Sequence, residues 1–340
     1  MTAALNIRSP LCGLVPPERV LAIGAFLARA LPGERITAVD AMTGGASGAL
    51  LLRLGAGSET FVLRLDGAPD GLRDPARQYA CQAIAAARGL APALIASDAE
   101  RWMSLSAFVR DEGPKMTRRA RLTAAAQTVQ RLHAGPGFPP LLPYMQAMRM
   151  VIGHFTAAAV TPAAVSGEIA DRFEQLDAVY PRIEGDVVAS HCDLNPGNIL
   201  YRNGQAVFVD WESAFAADRY VDVAALLNYF AADDGDAALI LASYLGRPPT
   251  GPERDRARAM RQVNRLFYGA LLLMAAAGQG VRATPADLAR FTYNKVRSSS
   301  FSVVEGAGKI ALGCAFLNDA LTEMRSPDFQ DVLVRLLSSA

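Results

Sequence analysis

The sequence predicts an α+β protein with two lobes, a small N-terminal lobe built on a sheet and a larger, mostly helical C-terminal lobe. Strand-forming residues separated by glycine turns dominate the first hundred positions. Helical patterns dominate the remainder of the chain. The composition changes near positions 107–112, and Gly113-Pro114 follows as a break. We therefore predict an N-terminal lobe over residues 1–109 and a C-terminal lobe over residues 110–340.

The N-terminal lobe is predicted to hold a five-stranded antiparallel sheet with one helix after the third strand. Apolar and β-branched runs bounded by turn residues indicate the strands. They are expected at 36–42, 49–54, 59–65, 94–99 and 102–109. A stripe of alanines predicts the helix at 74–88, because Gly89 and then Pro92 follow it as is typical after a helix C-terminus.

The C-terminal lobe is predicted to consist of successive helices interrupted by one hairpin. Helices are expected at 119–133, 141–159, 164–180, 220–230 and 237–245, with several more from 253 onward. The longest apolar run, 266–278, is too short to cross a bilayer and therefore predicts a buried helix.

The hairpin is predicted from the stretch 190–212, which contains an Asn-Gly pair at 203–204. This pair is favoured in two-residue type I′ turns, and strand-forming residues flank it on both sides. Counted outward from the turn, Leu200 faces Val207 and Asn198 faces Val209. Asp210 then falls one step from Asn198 at the open end of the hairpin.

The amide of Asn198 and the carboxylate of Asp210 are hard oxygen ligands of the kind that Mg²⁺ prefers beside substrate phosphates. Asp193 precedes Asn198 by five residues, in a loop that Asn195-Pro196-Gly197 keeps from becoming helical. A carboxylate beside a metal-bound phosphate can accept a proton from an attacking hydroxyl. The spacing predicts phosphoryl-transfer chemistry of the kinase type, although each residue alone is more often structural.

A second candidate phosphate contact is the glycine-rich segment 43–48 between the first two predicted strands. Such a turn lets backbone N–H groups approach phosphate closely, but glycine turns between strands usually only reverse the chain. Arg64 on the third predicted strand strengthens the interpretation, because a strand-borne cation can contact the same phosphates. Without the downstream motif, Arg64 would be interpreted as an exposed strand residue.

The chain resembles the aminoglycoside phosphotransferase and choline/ethanolamine kinase group, which has the bilobal protein-kinase-like fold. The specific part of the resemblance is His191-Cys192-Asp193-Leu194-Asn195-Pro196-Gly197-Asn198 together with Val209-Asp210-Trp211-Glu212. The segment Gly89-Leu90-Ala91-Pro92 is also similar, and the choline kinase branch often has an arginine where Arg64 stands. The similarity extends from about residue 36 to about residue 244.

The resemblance implies a role for each matching residue. Asp193 is expected to be the catalytic base, and His191 to brace the catalytic loop. Asp222 is expected to tie that loop to the following helix. The expected ligands of Mg²⁺ are Asn198 and Asp210. The expected contacts of ATP are Arg64, Gly44, Gly45, Ser47 and Gly48 at the phosphates, and the backbone of Ala107 and Val109 at the adenine.

One position departs from the family pattern. The helix after the third strand should offer a glutamate to the strand cation, but residues 75–97 contain no Asp or Glu. Gln78 stands about where the glutamate would fall, and a neutral amide makes a weaker hydrogen bond to arginine than a carboxylate does. Either Asp74 replaces the glutamate, or Arg64 is held less rigidly and the protein is a weak enzyme or a pseudokinase scaffold.

Composition excludes several other classes of protein. Net charge is +1, so no basic excess indicates nucleic acid or an anionic membrane. Three histidines are too few for a binuclear metallohydrolase. Four scattered cysteines and the lack of a signal peptide predict a reduced, cytoplasmic protein, in which Cys192 is a packing residue more readily than a nucleophile. Oligomeric state and the choice between ATP and GTP stay open.

The acceptor is predicted to be a small molecule with a hydroxyl group, on the model of choline or ethanolamine. Aromatic residues after the hairpin are candidates for an ammonium-binding cage, although at helical spacing they are more often core. They are Trp211, Tyr220, Tyr229, Phe230, Tyr244, Phe267 and Tyr268. The acidic residues Asp233, Asp234 and Asp236 are either a second amine contact or a helix cap. Antibiotics and sugars are alternative acceptors.

Overall fold

The computed structural model describes residues 11, 13–42, 48–69, 73–297 and 305–339. By its contacts the chain divides into two compact units. The first comprises Met1–Thr117 and Gly197–Phe215, and the second comprises Arg118–Pro196 and Ala216–Ala340. The segment that contains the predicted hairpin therefore groups with the first unit. The lobe boundary between residues 109 and 110 stays a prediction.

The first unit contains the predicted five-stranded antiparallel sheet. Its strands are β1 (Ile36–Ala41), β2 (Leu50–Ala56), β3 (Glu59–Leu65), β4 (Leu94–Asp98) and β5 (Met103–Ala107). The sheet order is β1-β2-β3-β5-β4, and each neighbouring pair is antiparallel. The fold class predicted from the sequence is thereby confirmed.

Two helices accompany this sheet. Helix α1 (Pro17–Ala30) was not among the predicted elements, and its residues Ile23, Phe26 and Leu27 are buried in one hydrophobic core with the apolar faces of β2 and β3. Helix α2 (Pro75–Ala86) is the predicted helix after the third strand. Asp74 caps α2 by accepting a hydrogen bond from the N–H of Ala76 at 2.9 Å.

The predicted hairpin consists of β7 (Ile199–Arg202) and β8 (Gln205–Phe208). Leu200 pairs with Val207, as the register count required. Asn203 and Gly204 both have positive φ, at 51° and 75°, which is the backbone that a type I′ turn requires.

The second unit is mainly helical. It contains β6 (Val187–Ser190), which pairs with β9 (Phe215–Asp218), and neither short strand was predicted. Its helices are α3 (Arg118–His133), α4 (Tyr144–Ala157), α5 (Ala163–Val179), α6 (Tyr220–Phe230), α7 (Asp234–Leu245), α8 (Gly251–Gly278), α9 (Pro285–Arg290), α10 (Tyr293–Arg297), α11 (Gly306–Arg325) and α12 (Pro327–Ser339).

Helix α8 extends well beyond the apolar run that predicted it, to 28 residues, and packs against α11. Across the part of the chain that the structure describes, no helix combines the length and the apolar character needed to cross a membrane.

Candidate functional site

In the first unit, Arg64 on β3 forms ion pairs with three carboxylates. Its Nε donates to Asp66 Oδ1 at 2.6 Å, its Nη1 to Asp210 Oδ1 at 2.9 Å and its Nη2 to Glu212 Oε2 at 2.9 Å. Burial alone would lower the pKa of Arg64, but Asp210, Asp66 and Glu212 raise it above its usual value. The guanidinium is thus fixed, charged and oriented by three hydrogen bonds.

Asp66 offers Arg64 a carboxylate of the kind that the family pattern expects from a glutamate on the helix. Its second oxygen accepts a hydrogen bond from the hydroxyl of Tyr79 on α2 at 2.6 Å. Burial and this bond to Asp66 raise the pKa of Tyr79, so the phenol stays protonated and keeps donating. The expected substitute Asp74 caps α2 instead, which corrects that prediction. Helix α2 therefore holds Arg64 indirectly, through Tyr79 and Asp66.

The open end of the hairpin brings Asn198 and Asp210 close together. The N–H of Val209 donates to the carbonyl of Asn198 at 3.0 Å, so Asp210 follows directly beside Asn198. Asp210 has a φ of 62°, in the left-handed region that few residues other than glycine adopt. Among the described residues, one of its carboxylate oxygens is engaged, by Arg64, and the side chain is partly exposed.

These two side chains fit the needs of Mg²⁺. Among the described residues, no group of three or more His, Cys, Asp or Glu side chains is arranged to hold a metal. Mg²⁺ commonly takes only one or two protein oxygens and completes its shell with water and substrate phosphates. A carboxylate with an oxygen left for a ligand and a neighbouring amide provide that donor set.

The segment expected to contact adenine is tied to the hairpin. Glu112 N–H donates to the carbonyl of Tyr201 at 2.8 Å, and Tyr201 N–H donates to Asp111 at 2.9 Å. The N–H of Ala107 is occupied by the carbonyl of Ala93. Within the described part of the chain, the backbone N–H and carbonyl of Val109 have no hydrogen-bond partner, so Val109 offers both groups to a ligand.

The glycine-rich segment is represented by Gly48 alone. Gly48 has a φ of 72°, which favours glycine, and a Cβ there would meet open space. The predicted phosphate contacts Gly44, Gly45 and Ser47 lie outside the described residues.

In the second unit, Asp222 on α6 holds the loop that carries Asp193. Its two oxygens accept the N–H groups of His191 and Cys192, each at 2.8 Å, and His133 Nε2 lies 3.1 Å away. Burial would raise the pKa of Asp222, but the hydrogen bond and charge of His133 lower it. The prediction that Asp222 ties this loop to the following helix is confirmed.

The loop has a strained backbone at Cys192, whose φ is 63° and whose side chain is buried. His191 is also buried, and its Nδ1 lies 3.3 Å from the N–H of Asp193. The left-handed turn at Cys192 reverses the chain, so Asp193 is partly exposed while the residues before it are not. His191 therefore contacts the backbone of Asp193 from the buried side of the loop.

Side chains of the second unit hold the carboxylate of Asp193. The hydroxyl of Tyr268 on α8 donates to Oδ1 at 2.8 Å, and Asn195 Nδ2 donates to Oδ2 at 3.1 Å. Burial and the neighbouring Asp193 raise the pKa of Tyr268, so its hydroxyl stays a donor at neutral pH. The sequence motif gave no sign of the Tyr268 contact, because the two residues are 75 positions apart.

Aromatic rings surround this contact, but not all those that were predicted. Tyr229 lies edge-on to Tyr268, with ring centroids 5.3 Å apart, and Phe316 and Tyr293 complete the group. Phe267 also contacts Tyr268. Three of the other four members of the predicted cage have different surroundings: Trp211 is buried and donates to the carbonyl of Phe208, Tyr220 contacts Arg256, and Tyr244 contacts His133.

The acidic residues 233–236 cap a helix instead of forming a ligand site. Asp233 accepts the N–H of Asp236 at the N-terminus of α7. Asp236 in turn pairs with Arg118 at 2.6 Å. The helix-cap interpretation of this acidic run is therefore confirmed, and it provides no obvious amine contact.

Comparison with solved structures shows the same fold in proteins of low sequence identity. A choline/ethanolamine kinase family protein from Mesorhizobium loti has a TM-score of 0.68 and 20% identity, covering 92% of this chain and 97% of its own. An ethanolamine kinase from Plasmodium vivax has a TM-score of 0.60 and 15% identity, covering 96% of this chain and 94% of its own. A spectinomycin phosphotransferase solved with ADP and spectinomycin has a TM-score of 0.54 and 13% identity, covering 85% of this chain and 97% of its own.

No curated protein matches the sequence. The sequence model described as "Phosphotransferase enzyme family" matches residues 39–306, which is most of the chain and includes the Arg64 network, the Asp193 loop and the hairpin. The chain belongs to this phosphotransferase enzyme family.

Proposed function

We propose that this protein transfers the γ-phosphoryl group of ATP, with Mg²⁺, to a hydroxyl group of a small molecule. The observation that carries the proposal is the open end of the hairpin, where Asn198 and Asp210 lie together and Arg64 is ion-paired to Asp210. A fixed cation beside a partly exposed carboxylate suits a magnesium-bound phosphate group, since both charges are then neutralised by the ligand.

The residues of the first unit have nucleotide-binding roles in this proposal. Asn198 and Asp210 hold Mg²⁺, which supplies charge neutralisation for the phosphates when it is bound. Arg64 contacts the α- and β-phosphates, Val109 and Ala107 present backbone groups to adenine, and Gly48 lies at the phosphates. Gly44, Gly45 and Ser47 are proposed to cover the phosphates with Gly48.

Asp193 is the proposed base. Its carboxylate accepts the proton of the acceptor hydroxyl as that oxygen forms a bond to the γ-phosphorus, and the bond from phosphorus to the β,γ-bridging oxygen breaks to release ADP. Tyr268 and Asn195 hold the carboxylate, and His191 fixes the backbone behind it. A carboxylate oriented in this way is ready to receive a proton without rearrangement.

The role of Asp193 is tested with Asp193→Asn, which keeps the shape and the hydrogen-bond capacity of the side chain but removes the basic oxygen. We expect kcat to fall about 10²–10⁴-fold, the usual contribution of a general base. ATP affinity should be unchanged. The measurement is coupled ADP release, with Asp171→Asn on the exposed surface of α5 as the matched control. Turnover of Asp193→Asn near that of the control would refute the role.

The metal role is tested with Asp210→Asn and thermal shifts. A ligand that binds the folded state raises the melting temperature, so ATP with Mg²⁺ should stabilise the wild type more than ATP with a chelator does. Asp210→Asn should show the same smaller shift under both conditions, because it has lost the carboxylate ligand. A full Mg²⁺-dependent shift in this variant would contradict the assignment.

A pseudokinase scaffold is the competing function, suggested by the missing helix glutamate. The Asp66–Tyr79 pair supports the enzyme instead, since Arg64 is held by a carboxylate despite Gln78.

The acceptor is proposed to be an amino alcohol such as choline or ethanolamine, with antibiotics and sugars as alternatives. The aromatic group around Tyr268 supports an ammonium-bearing acceptor. We also propose a cytoplasmic location, which the free thiols of Cys81, Cys192 and Cys314 support.

A further inference from the structure

Helix α8 carries a series of arginines that differ in how they are neutralised. Arg256 forms ion pairs with Asp186 and Asp218, and Arg258 pairs with Glu323 at 2.5 Å. Arg254 is exposed and donates to a backbone carbonyl. The next two arginines along the helix, Arg261 and Arg265, follow neither pattern.

Among the described residues, no carboxylate oxygen lies within 4 Å of Arg261 or Arg265. Within the described chain, Arg261 Nε donates to the amide oxygen of Asn228 at 3.3 Å. Arg265 Nη1 donates to Gln262 at 3.0 Å, and its Nε is buried without any hydrogen-bond partner in the described part of the chain. Two neighbouring guanidinium groups therefore share no counter-ion at contact distance.

This arrangement is costly for the protein alone. Burial, followed by repulsion from Arg265, lowers the pKa of Arg261 to about 10, and burial lowers the pKa of Arg265. A lowered arginine pKa means that the surroundings oppose the charge at neutral pH. Both side chains are nevertheless partly exposed, so a ligand can reach them although burial leaves them poorly solvated by bulk water.

The carboxylates that face the pair from other helices compensate its charge only from beyond contact distance in the described part of the chain. They are Asp319 and Glu323 on α11 and Asp234 on α7. Glu323 is shared with Arg258. Among the described residues, neither arginine therefore has a contacting counter-ion of its own.

The arginine pair lies on the same side of α8 as Tyr268, which contacts the proposed catalytic base. Positions 261, 265 and 268 share one helix face, and Tyr268 donates to Asp193 from that face. At a rise of about 1.5 Å per residue, Arg265 is roughly 5 Å and Arg261 roughly 10 Å along the axis from Tyr268. Tyr293 connects the two regions, because its hydroxyl donates to Tyr229 and its ring stacks on Phe316.

We propose that the acceptor carries an anionic group, a carboxylate or a phosphate, that binds Arg261 and Arg265 while its hydroxyl faces Asp193. This rests on the proposed phosphoryl transfer to a hydroxyl group, and it replaces choline and ethanolamine as the acceptor by an alcohol that also carries an anionic group. Guanidinium groups bind both anions through paired N–H donors. The separation along α8 suits a short hydroxy acid, and an ammonium group on the same molecule is compatible with Asp319 and the aromatic rings.

The acceptor class is tested with matched pairs of alcohols that differ by one anionic group. Choline is compared with carnitine, ethanolamine with serine, and glycerol with glycerate and with glycerol phosphate, by coupled ADP release. We expect the anionic member to have the higher kcat/KM. The glycerate and glycerol phosphate arms distinguish a carboxylate ligand from a phosphate ligand.

The arginine pair is tested with Arg265→Gln, with Arg265→Lys as the charge-retaining variant and Arg254→Gln as the control on the same helix. Loss of a charged hydrogen bond predicts a roughly 10- to 100-fold lower kcat/KM for the anionic acceptors in Arg265→Gln. Its melting temperature should not fall, and its KM for ATP and its turnover of acceptors without an anionic group should be unchanged. Arg265→Lys should recover part of the loss.

Calorimetric titration of the same acids into nucleotide-free protein separates this inference from the proposed function. Binding of the acids to the wild type and to Arg254→Gln, but not to Arg265→Gln, supports the anion site. This holds even if no phosphoryl transfer is detected, and that lack of transfer would contradict only the proposed function. Phosphorylation of choline, ethanolamine or glycerol with no binding of any acid overturns the anion site and leaves the proposed function standing.

Discussion

A single cation, Arg64, connects three parts of the first unit. It is positioned by Asp66 directly after its own strand, by Asp210 after the hairpin, and by Glu212. Removing one partner of a buried ion pair costs more than the pair itself contributes, because the remaining charge is left without compensation. Because Arg64 has three carboxylate partners, loss of one partner leaves its charge partly compensated. Helix α2 contacts one of these partners, Asp66, through the hydroxyl of Tyr79.

Asp66→Asn tests whether Asp66 replaces the missing glutamate. The variant loses one charged hydrogen bond to Arg64, so we expect roughly a 10- to 100-fold lower kcat/KM for ATP. Gln78→Met, a change of similar volume at the position that the family pattern indicates, should leave kcat/KM for ATP near wild type. Steady-state kinetics with varied ATP measures both. A larger loss in Gln78→Met than in Asp66→Asn would show that Gln78, and not Asp66, supports the cation.

For individual residues, the sequence predicted those contacts that depend on local backbone geometry. The juxtaposition of Asn198 and Asp210 followed from counting residues away from an Asn-Gly turn, and the structure has that register. The contacts of Arg64 with Asp66 and of Tyr268 with Asp193 did not follow from spacing. They depend on how side chains are oriented in three dimensions, and the family pattern places the carboxylate partner of the strand cation on the helix and not at the end of the strand, where Asp66 lies.

Among the elements, helices α8 and α11 pack closely together at a glycine on each helix. A Cβ added at Gly269 would lie 2.6 Å from Leu317 Cδ2 and 3.1 Å from the carbonyl oxygen of Gly313. A Cβ at Gly313 would likewise lie 2.9 Å from Leu273. Gly269 directly follows Tyr268, so this close approach also fixes the helix that positions the hydroxyl beside Asp193.

Gly269→Ala tests the importance of this approach. Alanine gains about 1 kcal/mol of helix propensity over glycine, but here it must displace Leu317 and the backbone of α11, and overpacking typically costs about 1–3 kcal/mol. We expect a net fall in the free energy of unfolding, measured by denaturant titration. Gly153→Ala on α4, where a Cβ meets nothing within 4 Å, is the control and should be neutral or stabilising. Equal stabilisation of both variants would contradict the packing argument.

Element prediction succeeded where the pattern is strong and failed where it is short. The bounds of β3 and α6 agree with the predicted 59–65 and 220–230. Helix α1 was overlooked although Ile23, Phe26 and Leu27 have helical spacing, because the strand signals after it dominated the interpretation. Strands β6 and β9 have four residues each, too few for alternation to be recognised against the flanking loops.

At the level of the whole molecule, the first unit is assembled from two segments that are distant in sequence. Residues 197–215 follow helices of the second unit in the chain but group with residues 1–117. Backbone hydrogen bonds explain this grouping, because Phe208 donates to Leu90 and Glu112 donates to Tyr201. The proposed nucleotide-binding residues Arg64, Val109, Asn198 and Asp210 therefore all belong to one unit, although Asn198 and Asp210 are encoded among the helices.

This grouping predicts which backbone amides lose protection together when one unit is destabilised. Leu63 is fully buried in β3, and Leu63→Ala should cost about 2–5 kcal/mol. Because cooperative units open together, native-state hydrogen exchange of the hairpin strands β7 and β8 should then accelerate with that of β3 and β5, while the amides of α8 stay protected. Leu317 in α11 is equally buried, so Leu317→Ala should accelerate the exchange of the α8 amides while β3, β5, β7 and β8 stay protected. Exchange measured by mass spectrometry resolves both, and a hairpin that follows α8 in either variant would show that it is stabilised by the second unit.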